Sequence, residues 1–161
     1  LIYCIQTICI QTMADTSLNE ERIGLLIWQA SNNWQSNLRK ILKKFKISLN
    51  EYLILETLVK MDGKFDVISQ INISFNSFLD VSVVSTNLKI LENKNFIYKS
   101  NIDSRTKNIE LSNKGLKLVT NIILLIENEE KKLFEKLGSE SFNFKNSLKL
   151  LLGKKIRIKA K

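Results

Sequence analysis

No proline interrupts these 161 residues, and only five glycines do. Proline and glycine are the strongest helix breakers, and the turns of a β-sandwich depend on both. A chain so poor in them favours long helices, and the hydrophobic spacing agrees. From Leu18 to Phe45, apolar side chains recur at Ile23, Leu26, Ile27, Ala30, Trp34, Leu38, Ile41, Leu42 and Phe45. Steps of three and four place them on one stripe of a single helix. A second long helix is predicted from Lys114 to Leu137, on Leu118, Val119, Ile122, Ile123, Ile126, Leu133, Phe134 and Leu137. It has about two dozen residues, or six to seven turns. Gly138 ends it, and a last helix over 139–152 ends at Gly153.

Shorter elements lie between the long helices. Ser48 and Glu51 have the spacing of a capping box, opening a helix that runs to Met61 and stops at Asp62-Gly63. Residues 66–79 read two ways: their β-branched content suits a strand, and Ile68, Ile71 and Phe75 suit a short helix face. Asp80 is the expected N-cap of the next helix, 81–94. That helix carries Val84, Leu88 and Leu91 on one side and Ser82, Ser85, Thr86 and Lys89 on the other. Asn95 follows it, the residue best suited after glycine to a left-handed exit. Residues 96–100 and 107–111 are strands by propensity and alternation, forming a hairpin whose tip, 101–106, is polar. Ser112 caps the helix that follows.

Composition removes whole classes of chemistry. The chain has no histidine, which excludes a histidine base, a Ser-His-Asp triad and a histidine-bound metal. It has no phosphate-cradling glycine loop and no nucleophile elbow, so no enzyme is expected. Cys4 and Cys9 are the only cysteines. They imply a cytoplasmic chain without a disulfide framework, and at most half of a metal site, so neither metal nor cofactor is expected. Residues 1–12, LIYCIQTICIQT, are apolar but too short to span a bilayer, and they lack the charged start of a secretory signal. The preferred reading is a start at Met13, with 1–17 an extension that is disordered or not native. A membrane or partner anchor is the other reading. No apolar run of about 18 residues occurs elsewhere, so no membrane partner is expected.

The order helix, turn, helix, hairpin over residues 66–111 is the logic of a winged helix-turn-helix. A helix with short hydroxyl side chains on its outer face fits a DNA major groove, and a hairpin tip can carry a cation to the minor groove. Three stretches then resemble the MarR family of transcriptional regulators. They are IGLLIWQASNNW (23–34), DVSVVSTNLKILENKNFI (80–97) and DSRTKNIELSNKG (103–115). The family patterns Leu-Glu-x-Lys-Gly, Asp-x-Arg and Leu-Thr-x-x-Gly read here Leu91-Glu92-Asn93-Lys94-Asn95, Asp103-Ser104-Arg105 and Leu111-Ser112-Asn113-Lys114-Gly115. The resemblance covers about 18–152.

That resemblance implies a mainly α fold with a small β-hairpin wing, built as one domain over 18–153 with a basic tail, 154–161. It implies a DNA-binding lobe over 48–111 and long dimerisation helices, 18–45 and 114–152. The recognition-helix residues facing double-stranded DNA are then Ser82, Ser85, Thr86 and Lys89. On the wing they are Arg105, held by Asp103 through a charge-assisted hydrogen bond, and Lys107. A homodimer would read a near-palindromic operator. An aromatic cleft at Trp28 and Trp34 could take a small phenolic or other apolar anionic effector, although core or dimer packing explains both residues as well.

The chain also departs from the family. Val81 and Val83 stand where polar or basic residues are common, and Thr86 where arginine is frequent. The formal charge is +9 overall, yet residues 47–88 sum to −3, residues 89–107 to +3, and the tail to +5. A winged-helix interaction module that has lost specific DNA binding is therefore the alternative function.

Overall fold

The computed structural model describes residues 22–103 and 106–156. The extension with Cys4 and Cys9, the wing residues Ser104 and Arg105, and the end of the tail lie outside the described residues. The chain forms two compact units, 1–37 and 38–161. Helix α1 (Ile23–Lys44) runs through the boundary. In the first unit it exposes Ile23, Leu26, Ile27 and Trp28.

In the second unit, Leu38 and Leu42 of α1 are buried. Next come α2 (Leu49–Met61), α3 (Gln70–Ser77), α4 (Val81–Asn93), β1 (Ile97–Asn101), β2 (Lys107–Leu111) and α5 (Asn113–Phe134). A 3-10 segment (Glu135–Glu140) leads to α6 (Ser141–Leu151). Helix α2 is the centre: it packs against α3, α4, α5 and β2. It therefore buries residues around most of its circumference, among them Tyr52, Ile54, Leu55, Leu58 and Met61. Ile73, Val84, Leu88, Leu91, Ile109, Val119 and Ile122 close the core around it. Each large apolar side chain buried in this way contributes about 1.5–3 kcal/mol.

Local chemistry fixes the element boundaries. Ser48 accepts the Glu51 N–H while Glu51 accepts the Ser48 N–H at 2.7 Å, the reciprocal pair that the spacing predicted. Gly63 and Asn95 both turn left-handed where chain exit was expected. The ambiguous stretch 66–79 is a helix, because Ser69 and Asn72 form a second capping box. One residue of it still behaves as a strand: the Ile68 carbonyl accepts the Ile109 N–H at 2.9 Å. The Ile68 N–H in turn donates to the Asn108 side chain at 2.8 Å.

Two expectations need correction. Asp80 occupies the N-cap position of α4, yet its side chain makes no capping hydrogen bond. The turn is tied from α3 instead, where Gln70 donates to the Val81 carbonyl and Ser74 to the Leu79 carbonyl. The long helix predicted to reach Leu137 stops at Phe134, and the next turn tightens to 3-10 before the left-handed Gly138 breaks it.

Candidate nucleic-acid interface

The hairpin pairs antiparallel in the register Ile97↔Leu111, Lys99↔Ile109 and Asn101↔Lys107. Ile97 and Ile109 are buried, while Tyr98, Ser100 and Lys107 are exposed. The wing is therefore a ribbon with one foot in the core. At its tip the Asp103 carboxylate accepts the Thr106 N–H at 2.7 Å, and the Ile102 N–H donates to the Thr106 carbonyl at 3.0 Å. Asp103 and Ile102 thus both bind Thr106 across the tip of the hairpin. Across the strands Glu110 accepts a hydrogen bond from the Tyr98 phenol, which holds that phenol above its ordinary pKa.

Between α4 and the wing lies a groove of about 620 Å³. The helix supplies Val81, Ser85 and Lys89, the hairpin Lys99, Thr106 and Lys107, and the start of α3 supplies Ser69, Gln70 and Ile71. Val81, Ser85 and Lys89 follow one another at steps of four, so a single helix face looks into the groove. Among the described residues, Lys89 and Lys107 have no carboxylate partner, whereas Lys99 is paired with Glu92 at 2.6 Å. Ser82 and Thr86 are exposed on the adjoining face. The Thr86 hydroxyl donates to the Ser82 carbonyl at 3.0 Å, which leaves its oxygen free to accept.

Of the predicted residues, Ser85, Lys89 and Lys107 therefore line one groove, with Ser82 and Thr86 at its flank. Asp103 is exposed at the tip of the wing. Trp28 and Trp34 belong to the first unit, Trp28 60% exposed and Trp34 half-buried. Sequence reasoning missed Gln70, Lys99 and Thr106. For Lys99 a signal existed, since it lies two residues from Ile97 and so on the same face of the strand; nothing local marks the other two. Among the described residues, no group of three or more His, Cys, Asp or Glu could hold a metal, and no helix is long and apolar enough to cross a membrane.

The inner end of α4 is held by ionic contacts. Lys94 donates to the buried Glu51 carboxylate and to the Lys46 carbonyl at 2.9 Å, and Lys114 donates to the Lys94 carbonyl at 3.0 Å. Helix α4 is thereby fastened to the starts of α2 and α5.

Comparison with known proteins agrees with this geometry. No protein-family profile matches the chain. It is similar to the uncharacterised HTH-type transcriptional regulator YdcH of Bacillus subtilis (strain 168), 27% identical over 131 residues, covering 80% of this chain and 88% of that protein. The structure of Staphylococcus aureus MepR in complex with DNA is 27% identical, covers 83% of this chain and 98% of its own, and superposes with a TM-score of 0.75. A MarR-family regulator from Rhodococcus sp. RHA1 shares the fold at 16% identity, with a TM-score of 0.73 over 83% of this chain and 94% of that one.

Proposed function

We propose that this chain, a MarR-type winged helix-turn-helix protein, is a cytoplasmic homodimeric transcriptional regulator that binds a near-palindromic site in double-stranded DNA. One observation carries the reading: the hydroxyl and lysine face of α4 and the lysines of the wing converge on a single open groove. Similarity to MepR, which is 27% identical and was solved in complex with DNA, supports DNA as the partner. Residues 48–111 form the DNA-binding lobe, with Ser82, Ser85, Thr86 and Lys89 in the major groove. Asp103, Arg105 and Lys107 act at the wing, where Arg105 reaches the minor groove. Residues 18–45 and 114–152 form the dimer. The exposed Leu150, Leu151 and Leu152 at the end of α6 support an interface there. A small phenolic or other apolar anionic effector near Trp28 and Trp34 would change operator affinity only by preferring one spacing of the two recognition helices.

Selection of bound duplexes from a random pool tests the reading. The expected product is an inverted repeat with half-sites about one helical turn apart. Enrichment of no sequence would instead favour the interaction-module alternative. Arg105→Ala should weaken binding to the selected site; unchanged affinity and footprint would remove the wing assignment.

A further inference from the structure

The outer face of α3 is apolar in a way the core does not explain. The helix packs on α2 and α4, with Ile73 buried. Ile71, Phe75 and Phe78 point elsewhere, and they are 70%, 81% and 78% exposed. Steps of four and three put them on one stripe that continues to the left-handed exit at Phe78. Scattered exposed apolar residues are ordinary, but three large ones in a row mark a surface that is covered in the working molecule.

One end of the stripe is already touched. Lys154 Nζ lies 5.3 Å from the centroid of the Phe78 ring, within cation–π range. Lys154 opens the stretch KKIRIKAK, which alternates residue by residue from Lys155 onward. In an extended chain Ile156, Ile158 and Ala160 share one side, and Lys155, Arg157, Lys159 and Lys161 share the other. The seven residues after Lys154 reach about 23 Å when extended. The eight residues of α3 span only about 12 Å. The stripe leads from Phe78 to Ile71, and Ile71 also lines the groove of the candidate interface.

We propose that residues 155–161 lie across the apolar stripe of α3, with the isoleucines against Phe75 and Ile71 and the four cations outward beside the recognition helix. The tail then adds a second row of phosphate contacts to a lobe whose own helix-turn-helix is short of positive charge. Only this second half rests on the DNA-binding reading.

The two halves are tested separately on the full chain. A benzophenone amino acid at position 158 is photoactivated without DNA in a mixture of unlabelled and nitrogen-15-labelled protein. Cross-links should join position 158 to the 71–78 peptide within one chain, and Phe75→Ser, an exposed site, should abolish them without lowering the melting temperature. Cross-links between labelled and unlabelled chains would assign the stripe to a second copy. Cross-links only to other segments would overturn the placement. For the DNA half, removal of 155–161 should reduce the slope of log affinity against log salt by about 3–4 per protomer on a selected duplex. An unchanged slope would overturn it. A full-length chain that binds no duplex would remove the DNA-binding reading and leave the cross-linking result to stand by itself.

Discussion

At the scale of single residues, Gly115 is the most constrained position. A Cβ built there would sit 2.0 Å from the Phe96 carbonyl oxygen and 2.8 Å from its carbon. Both are backbone atoms, and that carbonyl also accepts the Ser112 N–H at 3.0 Å. Neither side can yield cheaply, so Gly115→Ala should cost about 3 kcal/mol in denaturant unfolding. The glycine of the Leu-Ser-Asn-Lys-Gly pattern was visible in the sequence; the carbonyl it makes room for was not. Tyr52 gives a pH signature. Burial first, then its hydrogen bond to Glu56 and the nearby carboxylates, raise its phenol well above the ordinary 10.0. The folded state thus disfavours the phenolate. Its contribution is complete below pH 10 and is lost as the unfolded phenol ionises above it. Tyr52→Phe should make the alkaline fall in stability shallower above pH 10, measured as unfolding free energy against pH.

At the scale of elements, helix starts and the fastening of α4 decide how the interface is presented. The Ser48–Glu51 box could be read from spacing, because both bonds close within three residues. The Ser69–Asn72 box could not, since asparagine replaces the usual glutamate and the surrounding β-branched residues argue for a strand. Ser69→Ala should cost about 1 kcal/mol, read from the denaturation midpoint. Glu51 has a larger role: it is 4% exposed and pairs with Lys94, whose side chain keeps 33% of its exposure. Glu51→Gln should destabilise by about 2 kcal/mol, because Lys94 loses its counter-charge at a partly buried site. On the DNA side, Lys89→Ala should lower the salt slope of binding by about 1 per protomer. A loss of affinity with no change in slope would place Lys89 away from phosphate.

At the scale of the whole molecule, the first unit exposes Ile23 at 67% and the end of α6 exposes Leu151 at 68%. Surfaces of that kind are covered when a dimer forms, so thermal stability should rise with protein concentration. Sedimentation should show a dimer at the concentrations where operator binding is measured. A stable monomer with concentration-independent melting would contradict the assignment of 18–45 and 114–152 as dimerisation helices.

The elements were legible in the sequence because their causes are local. Hydrophobic period, capping residues and the left-handed preferences of glycine and asparagine placed the long helices, the hairpin and the exit at Asn95. Asp80 shows the limit of that reasoning: its type suits a cap, but bonds from Gln70 and Ser74 on α3 tie the turn instead. The sequence by itself determined that this chain is built of long helices around a winged helix-turn-helix and carries no histidine chemistry. Only the tertiary structure decided which residues share the groove with Lys89. Gln70 comes from α3 and Lys99 and Thr106 from the hairpin, and their meeting with Lys89 depends on how α3, α4 and the hairpin pack on α2. The Glu51–Lys94 pair spans 43 residues for the same reason. Contacts over such distances are set by the whole core, and no short pattern encodes them.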